Sequence, residues 1–180
     1  MPPATELPGR TSHTTSGNRA RWLAISVLGA GLAASSVLSE WRDEHAVLIN
    51  TTQSLPNWAF FIDKGRLPER GDFVVFNPPK SALITAHFGN RPSPFAKRAL
   101  GVPGDLVTRN GNAVQVNGET VATLKPRTKR GETLLPGPTG RIPVRCYYLG
   151  TAHPDGFDSR YAEIGFVCAD RIVGTGDALL

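Results

Sequence analysis

Cysteine is nearly absent from this chain of 180 residues: there are two, Cys146 and Cys168. Two thiols are too few for a thiolate zinc site. The four histidines, His13, His45, His87 and His153, show no metal-ligand spacing, so neither a metal nor another cofactor is expected. Charge of one sign is not concentrated. The net charge is +5, but the positive residues are dispersed, apart from Lys125, Arg127, Lys129 and Arg130. With no nucleic-acid-binding motif beside them, these charges argue against a DNA or RNA partner. Helical periodicity of useful length is missing after residue 44, there is no internal repeat, and no second domain is long enough to stand alone.

Turns and short strands are plentiful. Fifteen prolines and nineteen glycines interrupt short runs of valine, isoleucine, threonine and phenylalanine. That composition predicts a turn-rich, mostly β fold. "AVLINTT", "DFVVFNPP", "RCYYLG" and "EIGFVCADRIVG" are apolar runs closed by turn residues. "LVTRNGNAVQVNGETVATL" alternates across Asn110-Gly111 and Asn117-Gly118, both strong hairpin signals. The Pro/Gly/basic stretch at 124–145 reads as a surface loop, with contact to anionic lipid or a charged partner as the alternative.

Long apolar runs are represented once. Eighteen uncharged residues separate Arg21 from Glu40, bracketed by Trp22 and Trp41. The length just spans a bilayer core, and the tryptophans suit its interfaces. Arg10, Arg19 and Arg21 precede the run against Glu6 alone, while Glu40, Asp43 and Glu44 follow it with Arg42. This bias predicts a cytoplasmic N-terminus. The expected organisation is a disordered cytoplasmic tail at 1–20, a transmembrane anchor at 21–41, and an extracytoplasmic β domain at 45–180. A cleaved signal peptide is the rival reading, given the small residues of "GLAASS".

The chemistry centres on "KRALGVPGDLV", Lys97 to Val107. A buried lysine is costly unless it is neutral or paired. Phe95, Ala96, Ala99, Leu100 and Val102 supply apolar neighbours, and burial among them lowers an amine's pKa toward that of a useful base. Arg98 stays charged and cannot serve. Strand alternation lets Lys97 face a site while Arg98 faces away. The Pro103-Gly104-Asp105 turn would end the strand and pin that register.

The order of segments resembles the type I signal peptidases, membrane-anchored Ser-Lys proteases. "TQSLP" at 52–56 is similar to their nucleophile box, and "RGDFVVF" at 70–76 to the strand that follows it. "KRALGVPGDLV" is similar to their lysine box and "FDSRYAEIGFV" at 157–167 to the last one. Within the family the short domain and "HPDGFDSRY" are more like the TraF-type peptidases of conjugative transfer. The resemblance implies Ser54 as nucleophile and Lys97 as general base. It implies an oxyanion site from the Ser54 backbone N–H and the Thr52 hydroxyl, with Asp158, Ser159 and Arg160 as support. One departure stands out: Gly156 occupies the position of a family serine that hydrogen-bonds the lysine. Ser159, Asp155 or water would then orient Lys97. Trp58, Phe60 and Phe61 are either core or an apolar rim dipping into the bilayer. Cys146 and Cys168, on two late strands outside the cytoplasm, suit a disulfide, with free buried thiols as the alternative.

These readings predict a single-pass inner-membrane serine endopeptidase with a periplasmic catalytic domain. Its partner is a polypeptide precursor, pilin-type on the TraF resemblance, cleaved through an acyl-enzyme that water resolves or an amine cyclises. General signal-peptide removal and a non-catalytic, membrane-anchored assembly factor are the alternatives.

Overall fold

The computed structural model describes residues 16–49, 57 and 59–179. It divides into two compact units, one up to Arg42 and one from Asp43 onward. The first is dominated by α1 (Ser16–Glu44). Within α1, no residue of the 24-residue stretch Arg21–Glu44 is buried, and an 18-residue window of it has a mean hydropathy of 1.7. At about 1.5 Å rise per residue its 18 uncharged residues reach about 27 Å and the whole stretch about 36 Å, so the run just spans a hydrocarbon core of about 30 Å with its charged ends at the interfaces. Two of its four serines lean back on the helix: Ser35 Oγ donates to Leu32 O at 2.8 Å and Ser36 Oγ to Ala33 O at 2.9 Å.

The second unit is built of antiparallel strands. In chain order they begin with β1 (His45–Ile49), β2 (Ala59–Asp63) and β3 (Phe73–Phe76), followed by the helix α2 (Ala82–Phe88). Then come β4 (Phe95–Gly101), β5 (Leu106–Asn110), β6 (Ala113–Val116) and β7 (Glu119–Thr123). The last four are β8 (Gly140–Arg141), β9 (Cys146–Gly150), β10 (Val167–Cys168) and β11 (Ile172–Ala178). A seven-stranded sheet runs β1-β2-β11-β3-β4-β9-β10, and a four-stranded sheet runs β7-β6-β5-β8. The mostly β expectation therefore holds. Both Asn-Gly pairs lie at hairpins. Asn117 and Gly118 take φ of 51° and 86° between β6 and β7, the two left-handed residues a tight twisted hairpin requires.

Burial on β3 explains the placement of the sheet. Val74 and Phe76 join one apolar cluster, with Ile84, Ala99, Leu149 and Val167. Val75 joins another, with Phe60 and Ile62. Successive strand residues point to opposite faces, so this sheet is covered on both sides. Phe60 is fully buried and Phe61 partly so, which makes Phe60 core; Trp58 lies outside the described residues.

α2 is the one α-helix among the described residues after residue 44, where the sequence shows no helical period of useful length. It has only seven residues, too few to show an apolar period. Its ends carry the signal instead. The Ser81 side chain accepts from Ile84 N, and Gly89 closes the helix at φ 82°. Cys146 and Cys168 are directly opposite each other on β9 and β10, and their sulfurs are joined.

Candidate active site

Lys97 sits at the centre of β4, between β3 and β9. It pairs across the ladder with Val74. Residues directly opposite in an antiparallel pair share a face, as do residues two apart. Val74, Ala99 and Phe95 all pack with the cluster around Phe76 and Leu149. The lysine stem therefore rises from an apolar face. The residue is 6% exposed. Burial pushes its amine below the ordinary lysine value; the Asp158 carboxylate opposes that shift and the Arg160 guanidinium reinforces it. Such an amine is a better proton acceptor near neutral pH than a solvated lysine. Arg98 points the other way: it is exposed, lies 4.4 Å above the Phe73 ring centroid, and donates to Gly71 O at 3.3 Å.

The turn after β4 is braced by a single carboxylate. Asp105 Oδ2 accepts from Val102 N at 2.7 Å and from Arg70 Nη2 at 2.6 Å. Its Oδ1 accepts from Asn117 Nδ2 at 2.8 Å. Gly104 takes φ 91°, which L side chains rarely adopt. Arg70 also donates to Leu100 O at 2.9 Å. The Arg-Gly-Asp and Pro-Gly-Asp segments are thus two halves of one clamp, holding the end of β4 against the β6–β7 hairpin. Sequence reading placed both segments without seeing their bond, because the partners are 35 residues apart.

Asp158, Ser159 and Arg160 are buried at 0%, 0% and 2% exposure. Arg160 grips Asp158 bidentately, Nε to Oδ1 at 2.8 Å and Nη2 to Oδ2 at 2.9 Å. Asp158 also accepts from Thr151 N at 3.1 Å and from Arg160 N at 3.1 Å. Burial pushes the carboxyl up, against the pull of the Arg160 hydrogen bonds and charge. The guanidinium reaches two carbonyls as well, Thr151 O at 2.6 Å and Thr123 O at 3.2 Å. Ser159 docks on β9: its N–H donates to Leu149 O and its Oγ accepts from Leu149 N, both at 2.9 Å. Leu149 in turn pairs with Ala99 on the lysine strand. A buried pair of this kind adds little net stability, but losing one partner strands a charge. It fixes geometry next to Lys97.

The groups expected to orient Lys97 are engaged elsewhere. The Ser159 hydroxyl is turned to β9. Asp155 is held by Lys125 and by Lys129, the latter at 3.0 Å, and these contacts keep its carboxyl at about 2. Gly156 has a packing reason. A Cβ there would meet Thr151 Cγ2 at 2.5 Å, and Arg160 Nη2 and Asp158 Oδ2 at 2.8 Å each. The buried pair fills the space a side chain would need. Thr151 is a residue the sequence reading missed, and its sole signal was a hydroxyl at the end of the "YYLG" run. Ser54 and Thr52 lie outside the described residues. Among the described residues no group of three metal-binding side chains converges.

The chain is 34% identical over 113 residues to "Probable signal peptidase I-2" of Synechocystis sp. (strain ATCC 27184 / PCC 6803 / Kazusa), covering 61% of this chain and 46% of that one. It is 30% identical over 115 residues to "Signal peptidase I T" of Bacillus subtilis (strain 168), covering 59% of this chain and 54% of that one. It thus spans about half the length of these two relatives. A signal peptidase I crystal structure from Enterococcus faecalis V583 aligns with a TM-score of 0.38 at 22% identity, covering 61% of this chain and 97% of that one. A buried lysine on a clamped strand, backed by an Asp-Ser-Arg turn, lies inside residues 19–180, which match the sequence model of the signal peptidase, peptidase S26, family, and the chain belongs to that family.

Proposed function

We propose that this protein is a membrane-anchored serine endopeptidase in which Ser54 is the nucleophile and Lys97 the general base. The observation that carries the reading is Lys97 itself: an amine 6% exposed, weakened as an acid-holder by desolvation, in a chain of the signal peptidase family. The Ser54 hydroxyl attacks the scissile carbonyl while the neutral Lys97 amine takes its proton. The resulting ammonium passes that proton to the leaving amine, and the acyl-enzyme remains on Ser54. Lys97 then deprotonates a water, which releases the acyl group and restores the hydroxyl. The backbone N–H of Ser54 and the Thr52 hydroxyl receive the developing oxyanion. Asp158, Ser159 and Arg160 hold the strand and the field around Lys97 without touching substrate.

The proposed substrate is an exported precursor at the outer face of the inner membrane, reached by a domain that α1 anchors with its N-terminus in the cytoplasm. The likeness of "HPDGFDSRY" to the TraF-type peptidases supports a pilin-type precursor of conjugative transfer, with an amine able to replace water in the last step. The names of the relatives support general signal-peptide removal equally well. Mass spectrometry of a co-expressed candidate precursor tests the proposal. Cleavage is expected with the native chain and lost in both Ser54→Ala and Lys97→Ala. Cleavage that survives Lys97→Ala would overturn the dyad, and loss of function in Lys97→Ala with cleavage intact would favour a scaffolding role.

A further inference from the structure

The basic stretch at 124–145 is not a loose surface loop. Thr128 N donates to Glu132 O at 2.9 Å, Gly131 N to Thr128 O at 3.0 Å, and Leu134 N to Pro126 O at 3.0 Å. The fold of this segment is tied to α2 at two points. His87 Nε2 meets Glu132 Oε1 at 3.0 Å, and Arg130 Nη1 donates to Ala86 O at 3.2 Å. Between this segment, α2 and the turn before Asp158 lies a cleft of about 440 Å³, within the usual range of ligand pockets.

The cleft has two chemistries. Leu83, Phe88, Leu134, Phe157 and Tyr161 give it an apolar floor. Lys125, Arg127 and Lys129 line it with the carboxylate of Asp155, and Glu132 bonds two further lining residues, His87 and Thr128. Both lysines share the Asp155 carboxylate, and Arg127 Nη1 donates to the backbone carbonyl of Gly131 at 3.0 Å. Positive charge is in surplus above an apolar surface.

Two of the cleft's lining residues, Phe88 and Gly156, connect it to the surroundings of Lys97. The Phe88 ring lies 4.8 Å from Phe95 and 6.1 Å from Phe157. Phe95 is on the same face of β4 as Lys97, two residues before it. Gly156 lines the cleft, and a Cβ there would touch the Asp158–Arg160 pair. One wall of the cleft is therefore the outer surface of the group that flanks Lys97.

We infer that this cleft is a substrate subsite that takes an apolar side chain of the precursor with an acidic residue beside it, the carboxylate resting on Arg127 and Lys129. The inference rests on the protease reading above. A peptide rather than a lipid headgroup is favoured because the aromatic floor leads toward Lys97, where a chain held in the cleft would continue.

Binding is read without turnover, using the full chain carrying Lys97→Ala in phosphatidylcholine nanodiscs. The probes are two fluorescent amidated peptides with a leucine–aspartate–phenylalanine or a leucine–asparagine–phenylalanine centre. The aspartate peptide is expected to bind about tenfold more tightly at low salt, an advantage that falls as salt rises. Arg127→Glu and Lys129→Glu, both at exposed charges, are each expected to erase it. Equal binding of the two peptides, or an advantage that survives both charge reversals, overturns the inference. Loss of aspartate-peptide binding in phosphatidylglycerol nanodiscs would mean that the rim takes lipid, and overturns it too. The protease reading is judged separately, by whether Lys97→Ala abolishes precursor cleavage.

Discussion

Restoring the family serine at position 156 is expected to damage this protein. The ideal Cβ of Gly156→Ser would sit 2.5 Å from Thr151 Cγ2 and 2.8 Å from both Arg160 Nη2 and Asp158 Oδ2. Ordinary carbon contacts begin near ~3.5 Å, so the neighbours must retreat by about 0.7–1 Å. None is a free end. Asp158 is fully buried and Thr151 is 4% exposed, and the guanidinium is fixed by Asp158 and by Thr151 O. Overpacking a tight interior costs about 1–3 kcal/mol, and splitting a buried pair costs about 3–5 kcal/mol. Partial displacement of the pair therefore places the loss near ~3 kcal/mol. For a domain of this size that lowers the melting temperature by about 10 °C. Thermal unfolding followed by circular dichroism reads it. Adding Thr151→Ser removes the nearest methyl and is expected to recover part of the loss. A melting temperature for Gly156→Ser within a degree or so of the native value would show that the buried pair does not fill this space, and would refute the reasoning.

Replacing the amine of Lys97 by Met removes a desolvated base and keeps an apolar stem. The amine is depressed below 10.5, so the unfolded chain holds its proton more firmly than the folded one. Native stability therefore rises with pH between the folded value and 10.5, and is penalised below that window. Lys97→Met is expected to be more stable than the native chain at neutral pH, to lack this slope, and to cleave nothing; a less stable variant in denaturant titrations would contradict the burial argument. Asp105→Asn weakens the clamp on β4. Burial opposes ionisation of Asp105, but hydrogen bonds from Val102, Asn117 and Arg70 hold its carboxyl below the usual range. Its contribution is present above the ordinary value of 3.8 and fades as pH falls through the depressed one. The variant should lose about 1–3 kcal/mol at neutral pH and show a flatter acid limb in unfolding titrations. Cys146→Ser with Cys168→Ser opens a loop of 22-residue separation that encloses Asp158–Arg160. Chain entropy puts the loss at about 3 kcal/mol, read as a shift in the denaturant midpoint and absent if the native chain is already reduced.

Local chemistry was legible in the sequence because it acts over few residues. Proline and glycine between β-branched runs dictate short strands, and Asn117-Gly118 dictates a tight hairpin because its left-handed geometry is cheap only for such residues. The apolar run after Arg21 declares a long helix without a polar face. Alternation along "KRALG" separates Lys97 from Arg98 before any partner is known. Tertiary structure decided what no window of sequence contains. It brought Arg70 to Asp105, closed the basic stretch over α2, and sank an Asp-Arg pair beside an amine. It also turned the glycine at 156 from a departure into a requirement. Each of these depends on which faces of distant strands meet. Burial, the cause of the weakened amine, belongs to the packed sheet rather than to any single residue in it.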